Sequence, residues 1–201
     1  MTDSPSTTRV IAIVASAGGL KAVVTVLELL PEDFEPVIVV LVHQDPERAS
    51  RLVEILTRHS RLPVVAAEHD ALLEPGTVVV AQPGRHVLIT AGPRIATIAS
   101  GASPPNRPSA DLLLTTLAIA CGSRATAVVL SGGGHDGATG ATAVHDFGGT
   151  VVASDEATST HFGMPQATIQ RDDVVDHVVA LDDIAGLLEP IISVARTPPD
   201  D

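Results

Sequence analysis

The sequence contains no Trp, no Tyr and only three Phe among its 201 residues. A core without aromatics must be built from Val, Leu, Ile and Ala, and a hydrophobic content of 45% is enough to build a sizeable one. The same lack removes base stacking as a way of binding nucleic acid. Positive charge is scarce: Lys and Arg number 12 against 24 Asp and Glu, a formal net charge of −12. Such a surface repels a phosphate backbone, so the reading is of no nucleic-acid partner. A single cysteine, Cys121, rules out an internal disulfide and a cysteine-based zinc site, and its apolar helical surroundings read as a small buried hydrophobe. The histidines show no His-x-x-x-His or comparable spacing, so no metal is expected. No apolar run approaches the roughly 20 residues that span a bilayer, and the first residues, MTDSPSTT, are polar rather than a signal peptide. The expectation is a cytoplasmic protein with no membrane insertion.

What the chain does have is valine in short runs, alternating with amphipathic stretches. Strands are expected at 10–14, 37–42, 64–67, 78–81, 127–130, 150–153 and 174–175, with a hairpin from 86–90 and 95–99. Helices are expected at 20–30, 50–58, 109–120 and 138–147, with a short one from Pro165 and a last one from Asp182. Valine-rich runs between helices imply buried parallel strands. The fold class is therefore α/β: a three-layer α/β/α arrangement around a doubly wound, mostly parallel sheet, with one β-hairpin. A single domain is expected over 9–195, between disordered tails at 1–8 and 196–201. The Pro-, Gly- and Ser-rich segment at 99–111, ASGASPPNRPSAD, reads as a long functional loop inside that domain.

In an open α/β sheet, ligands bind beyond the carboxyl ends of the strands. The first expected strand ends in Ala15-Ser16-Ala17-Gly18-Gly19, and the second in His43-Gln44-Asp45-Pro46. The strand at 127–130 ends in Ser131-Gly132-Gly133-Gly134-His135-Asp136-Gly137. A phosphate-cradling loop is a poor fit, because neither G-x-x-x-x-G-K-[ST] nor G-x-G-x-x-G is present, and no cofactor is expected. A serine nucleophile explains more. Ser16 on a strand-to-helix turn is held stiffly, small neighbours let a carbonyl approach, and amides at the next helix start face a developing oxyanion. His43 at the adjacent strand end is the natural base, and Asp136 the natural acid to orient it. Asp136 also sits where it would cap the following helix, and the rival base, His135, is expected to point outward. The chain order Ser-His-Asp differs from the three usual orders, but a triad is defined by geometry.

Four stretches, IAIVASAGG, LVHQDP, LSGGGHDGATG and DEATSTHFGMPQAT, resemble the motifs of the catalytic domain of CheB-type chemotaxis protein-glutamate methylesterases. PPNRPSAD resembles a further family stretch ahead of a central helix, and the likeness runs from about Arg9 to Leu188. The resemblance implies Ser16 as nucleophile, His43 as general base and Asp136 as the acid that orients it. It implies hydrolysis of glutamyl γ-methyl esters on the helices of methyl-accepting chemoreceptors, releasing methanol, and deamidation of receptor glutamines as a related activity. Departures at Val14, Ala17, Val42 and Gly133 flank the three matching positions. That keeps a small-molecule carboxylesterase on the same scaffold, or a non-catalytic signalling module, as alternatives. Amides near Ala17–Gly18 or at Gly133 are the expected oxyanion donors. Met164 is expected at the active-site rim, and Arg107 either holds a receptor carboxylate or anchors its loop. In the family a receiver domain usually precedes the catalytic domain. The residues before the first strand here are too few to make one, so the expectation is an open cleft with constitutive activity that does not respond to phosphodonors, the alternative being gating in trans by a separate partner.

Overall fold

The computed structural model describes residues 8–101 and 107–193, with side chains described as far as 190. The expected tails at 1–8 and 196–201 lie almost wholly outside the described residues, as does the middle of the 99–111 loop.

The central strand is β1 (Val10–Ala15), every residue of which is buried. Its continuous apolar run still obeys the two-residue period of a strand. Val10, Ala12 and Val14 enter one core with helices α3 (Ala110–Cys121) and α4 (Ala138–Asp146). Ile11, Ile13 and Ala15 enter the other core with α1 (Gly19–Leu29) and α6 (Ile184–Ser193). Burial on both faces is what makes an unbroken hydrophobic run stable as a strand.

Six strands join β1 in one sheet: β2 (Val37–Val42), β3 (Val64–Ala66), β4 (Val78–Val80), β7 (Ala125–Val129), β8 (Thr150–Ser154) and β9 (His177–Val179). The order is β3-β4-β2-β1-β7-β8-β9, and every pairing is parallel. The sheet is thus wholly rather than mostly parallel. The antiparallel hairpin of β5 (Arg85–Thr90) and β6 (Arg94–Ala99) forms a separate two-stranded sheet. It packs on α3, where the Ile89 amide donates to the Thr116 hydroxyl. Helices α2 (Leu52–His59) and α5 (Gly163–Ile169) complete the layers. The chain first winds outward from β1 through β2, then crosses back to β7, so the winding direction reverses between β1 and β7. Beyond the carboxyl edge at such a reversal is where α/β sheets place their ligands.

One strand lies elsewhere than expected. The last is β9 at His177–Val179, not 174–175. Asp172 and Asp173 adopt left-handed φ values of 50° and 54°, so the chain is still turning there. Val174 then plugs the core at 2% exposure, and the Asp176 carboxylate accepts from the Val151 amide before the ladder begins. A densely apolar pair marked a core plug rather than an edge strand.

Candidate active site

Ser16, His43 and Ser131 each stand one or two residues past the end of adjacent strands β1, β2 and β7. Ala15 and Val42 are register partners, and the ladder continues beyond them: the His43 amide donates to the Ala15 carbonyl at 3.0 Å. On the other side the Ser16 amide donates to the Ser131 carbonyl at 2.9 Å. The chain then turns tightly, with the Gly19 amide donating back to the Ser16 carbonyl at 2.8 Å. Gly18 makes this turn at φ 74°, a conformation natural to glycine. A side chain at Gly132 would overlap Met164 Sδ and come within 2.9 Å of Ser16 Cβ. Ser16 is half-buried against that bare backbone.

The His43 Nε2 donates to Asp136 Oδ2 at 2.8 Å, with the two side chains only 12% and 4% exposed. Asp136 does not cap its own helix: α4 starts behind Gly137, at φ 101°, with no hydrogen bond from a capping side chain of its own. The carboxylate reaches across to α3. Oδ2 accepts from the Ala110 amide at 2.7 Å, and Oδ1 from the Asp111 amide at 3.0 Å and the Ser109 hydroxyl at 3.3 Å. Burial pushes this carboxyl up, but the hydrogen bond from His43 and the amides of Asp111 and Ala110 outweigh it, and the pKa lies below its ordinary value. Asp136 is therefore ionised at neutral pH and aimed at the imidazole.

The expected three-residue hydrogen-bonded line exists only in its His43–Asp136 half. Among the described residues the Ser16 hydroxyl has no hydrogen-bond partner. Such bonds are commonly long before substrate arrives.

The model of the CheB methylesterase family matches residues 11–188. The chain belongs to that family. It is 39% identical over 79% of its length to the protein-glutamate methylesterase FrzG of Myxococcus xanthus, covering 48% of that protein. It is likewise 39% identical over 91% of its length to a protein-glutamate methylesterase/protein-glutamine glutaminase of Anaeromyxobacter dehalogenans, covering 53% of it. The chain thus spans about half the length of these curated relatives. The crystal structure of the Thermotoga maritima CheB methylesterase catalytic domain superposes with a TM-score of 0.84 at 30% identity, covering 94% of this chain and 99% of that one.

Around Ser16, His43 and Asp136 of this CheB-family chain, the other expected residues fall into two groups. Ala17, Gly18 and Gly133 are exposed. Among the described residues their amides donate to nothing, as an oxyanion donor requires. Met164 is placed differently from expectation, whereas Arg107 fits one of its two. Met164 is fully buried, propping Gly132 from beneath, and offers no surface at a rim. Arg107 donates through Nη1 to the Gly101 carbonyl at 2.9 Å, while its own carbonyl accepts from the Gln44 amide at 3.1 Å. Of its two sequence readings, the contacts are those of a loop anchor. His135 is exposed.

Three residues in the CheB-family site had no reading from sequence. Ser131 Oγ donates to the Ala17 carbonyl at 2.8 Å and accepts from the His161 amide at 2.9 Å, pinning the Ser16 turn to the loop before α5. Ser131→Ala leaves both groups without this partner and is expected to destabilise the protein by about 1–3 kcal/mol in urea unfolding. An unchanged midpoint and slope would refute the brace. Asp111 accepts from the Gly137 amide at 2.9 Å and the Gly140 amide at 2.8 Å through one oxygen. Burial, together with the neighbouring Asp136 charge, raises its pKa. Its sequence signal was faint: an acidic residue in the first turn of a helix is ordinary.

His86 is the third. Its Nδ1 accepts from the Ser109 amide at 2.9 Å, so the ring is neutral at the start of α3. Burial lowers its pKa from 6.5; the Asp136 charge opposes this and Arg107 adds to it. A depressed histidine pKa gives stability that is fully present above 6.5 and is lost as pH falls through the folded value. The melting temperature of the wild type is expected to drop more steeply than that of His86→Asn between about pH 7 and pH 5. Parallel curves would exclude this role.

Proposed function

We propose that the chain hydrolyses glutamyl γ-methyl esters on methyl-accepting chemoreceptors, releasing methanol, with Ser16 as nucleophile, His43 as general base and Asp136 as its orienting acid. The observation that carries this reading is the buried His43–Asp136 hydrogen bond at the strand end beside Ser16. Family membership and the names of the relatives support the substrate class.

The geometry supports a definite course. Because Nε2 is held by Asp136, Nδ1 is the ring nitrogen left to take the Ser16 proton. Ser16 Oγ attacks the ester carbonyl, and the imidazolium that forms is stabilised by the ionised Asp136. The unpaired amides at Ala17–Gly18 or Gly133 receive the oxyanion. His43 then returns the proton to the methoxide, methanol leaves, and water attacks the acyl-enzyme by the same route to free the glutamate and Ser16. An amide in place of the ester would lose ammonia, which is the deamidation that the glutaminase part of the relatives' names describes. An open groove of about 360 Å³ is lined by Val42 and Gln44, the residues on either side of His43, with Leu20, Leu52 and Ile55 as its apolar part. Among the described residues no helix is long and apolar enough to cross a membrane. A cytoplasmic location, facing the methylated receptor segments, belongs to the same proposal.

The test is release of volatile label from receptor carrying methyl-labelled glutamates. Steady methanol production by the purified chain is expected. Hydrolysis of small esters with none from receptor would instead make this a small-molecule esterase.

A further inference from the structure

We infer that Asp111 is a positioning residue for the Asp136 carboxylate, acting through an exchange of helix N-terminal hydrogen bonds between α3 and α4; the inference rests on the triad reading above.

Each aspartate lies at the start of one helix and serves the other. Asp136, just ahead of α4, accepts from the Ala110 and Asp111 amides of α3. Asp111, in the first turn of α3, accepts from the Gly137 and Gly140 amides of α4. Asp136 is thus tethered twice. Its side chain is tied to α3, and the peptide that follows it is tied to Asp111. The second tether matters because Gly137, at φ 101°, is a residue whose backbone is otherwise free to turn, and α4 has no cap of its own. Without Asp111, the Gly137 and Gly140 amides lose their acceptor, and the 135–140 turn keeps only its Ala138–His135 and Ala141–Gly137 backbone bonds beside the carboxylate whose direction is at stake.

The exchange also demands a close approach of the helices. A Cβ on Gly140 would come 2.5 Å from Leu114 Cβ and 3.0 Å from the Asp111 carbonyl oxygen. The glycine lets α4 come near enough for its amides to reach Asp111. Burial raises the Asp111 carboxyl while Asp136 is held low, so on acidification the proton goes first to the partner that does not face His43.

Misplacement of a reacting group by about 1 Å can cost roughly 10² in rate. The test is hydrolysis of p-nitrophenyl acetate by the whole chain, with folding checked by circular dichroism at the assay temperature. Asp111→Ala is expected to lower kcat by about 10²-fold with KM changed less than about threefold. Asp111→Asn keeps an acceptor oxygen and is expected to recover kcat to within about tenfold of wild type. Asp111→Glu keeps the charge but displaces the oxygens, and is expected to lower kcat at constant KM. It carries the test if the alanine variant does not fold. A folded Asp111→Ala or Asp111→Glu protein with wild-type kcat overturns the proposal, as does an asparagine variant no better than alanine. Ser16→Ala, run alongside, separates the two levels: activity surviving there defeats the triad reading itself, whereas its loss beside a fully active Asp111→Ala defeats only the role of Asp111.

Discussion

Ser16→Ala is expected to fold as well as the wild type and to lose roughly 10⁴–10⁶ of its rate of ester hydrolysis. Both halves follow from the same observation. Among the described residues the Ser16 hydroxyl is bonded to nothing, so removing it leaves no buried donor or acceptor stranded, and stability should move by less than about 0.5 kcal/mol. The turn that carries it is held by backbone and by Ser131. The rate falls because the nucleophile is removed, and the buried Ser131 Oγ beside it is already engaged with Ala17 and His161. Residual hydrolysis would come from the amides and from binding alone. Methanol release and thermal unfolding measured on the same preparation decide the matter. A variant retaining more than a few per cent of the wild-type rate would show that Ser16 is not the nucleophile.

Asp136 behaves in the opposite way, and its substitution is expected to damage fold and chemistry together. The carboxylate accepts from His43, Ala110, Asp111 and Ser109 at 4% exposure. Asp136→Ala strands these donors and breaks a buried pair, which costs about 3–5 kcal/mol. Asp136→Asn is nearly isosteric, yet its NH₂ must face donors on whichever side it takes. The asparagine variant is expected to be less stable than wild type and to lose about 10⁴ in kcat through misdirection of the imidazole. The Asp136 pKa is lowered from 3.8 in the folded state. Its stabilisation is therefore fully present above pH 3.8 and disappears as pH falls through the lower folded value. Denaturant titrations should show wild type and Asp136→Asn converging only at that acid extreme. Convergence already near neutral pH would mean that the charge on Asp136 contributes nothing to the fold.

The α/β class, the three layers and most elements were legible because buried parallel strands write themselves as valine runs and helices as interrupted ones. The run at 10–14 became β1, and the register of β1 with β2 then carried Ser16 and His43 to the same edge with little freedom left. Residue type and position at strand ends were enough to choose Ser16, His43 and Asp136 as candidates. Tertiary structure decided what local pattern does not encode. Asp136 looked like a cap for the helix it precedes but caps α3, because Gly140 allows the two helices to cross almost in contact. Met164 turned out to be a buried prop, Arg107 a loop anchor, and Asp111, unremarked in sequence, one half of the exchange. Periodicity fixes which side of an element is buried, since that depends only on its own repeat. The partner of a buried carboxylate depends on where another helix, some 26 residues away along the chain, brings its first amides, and that is set by packing alone.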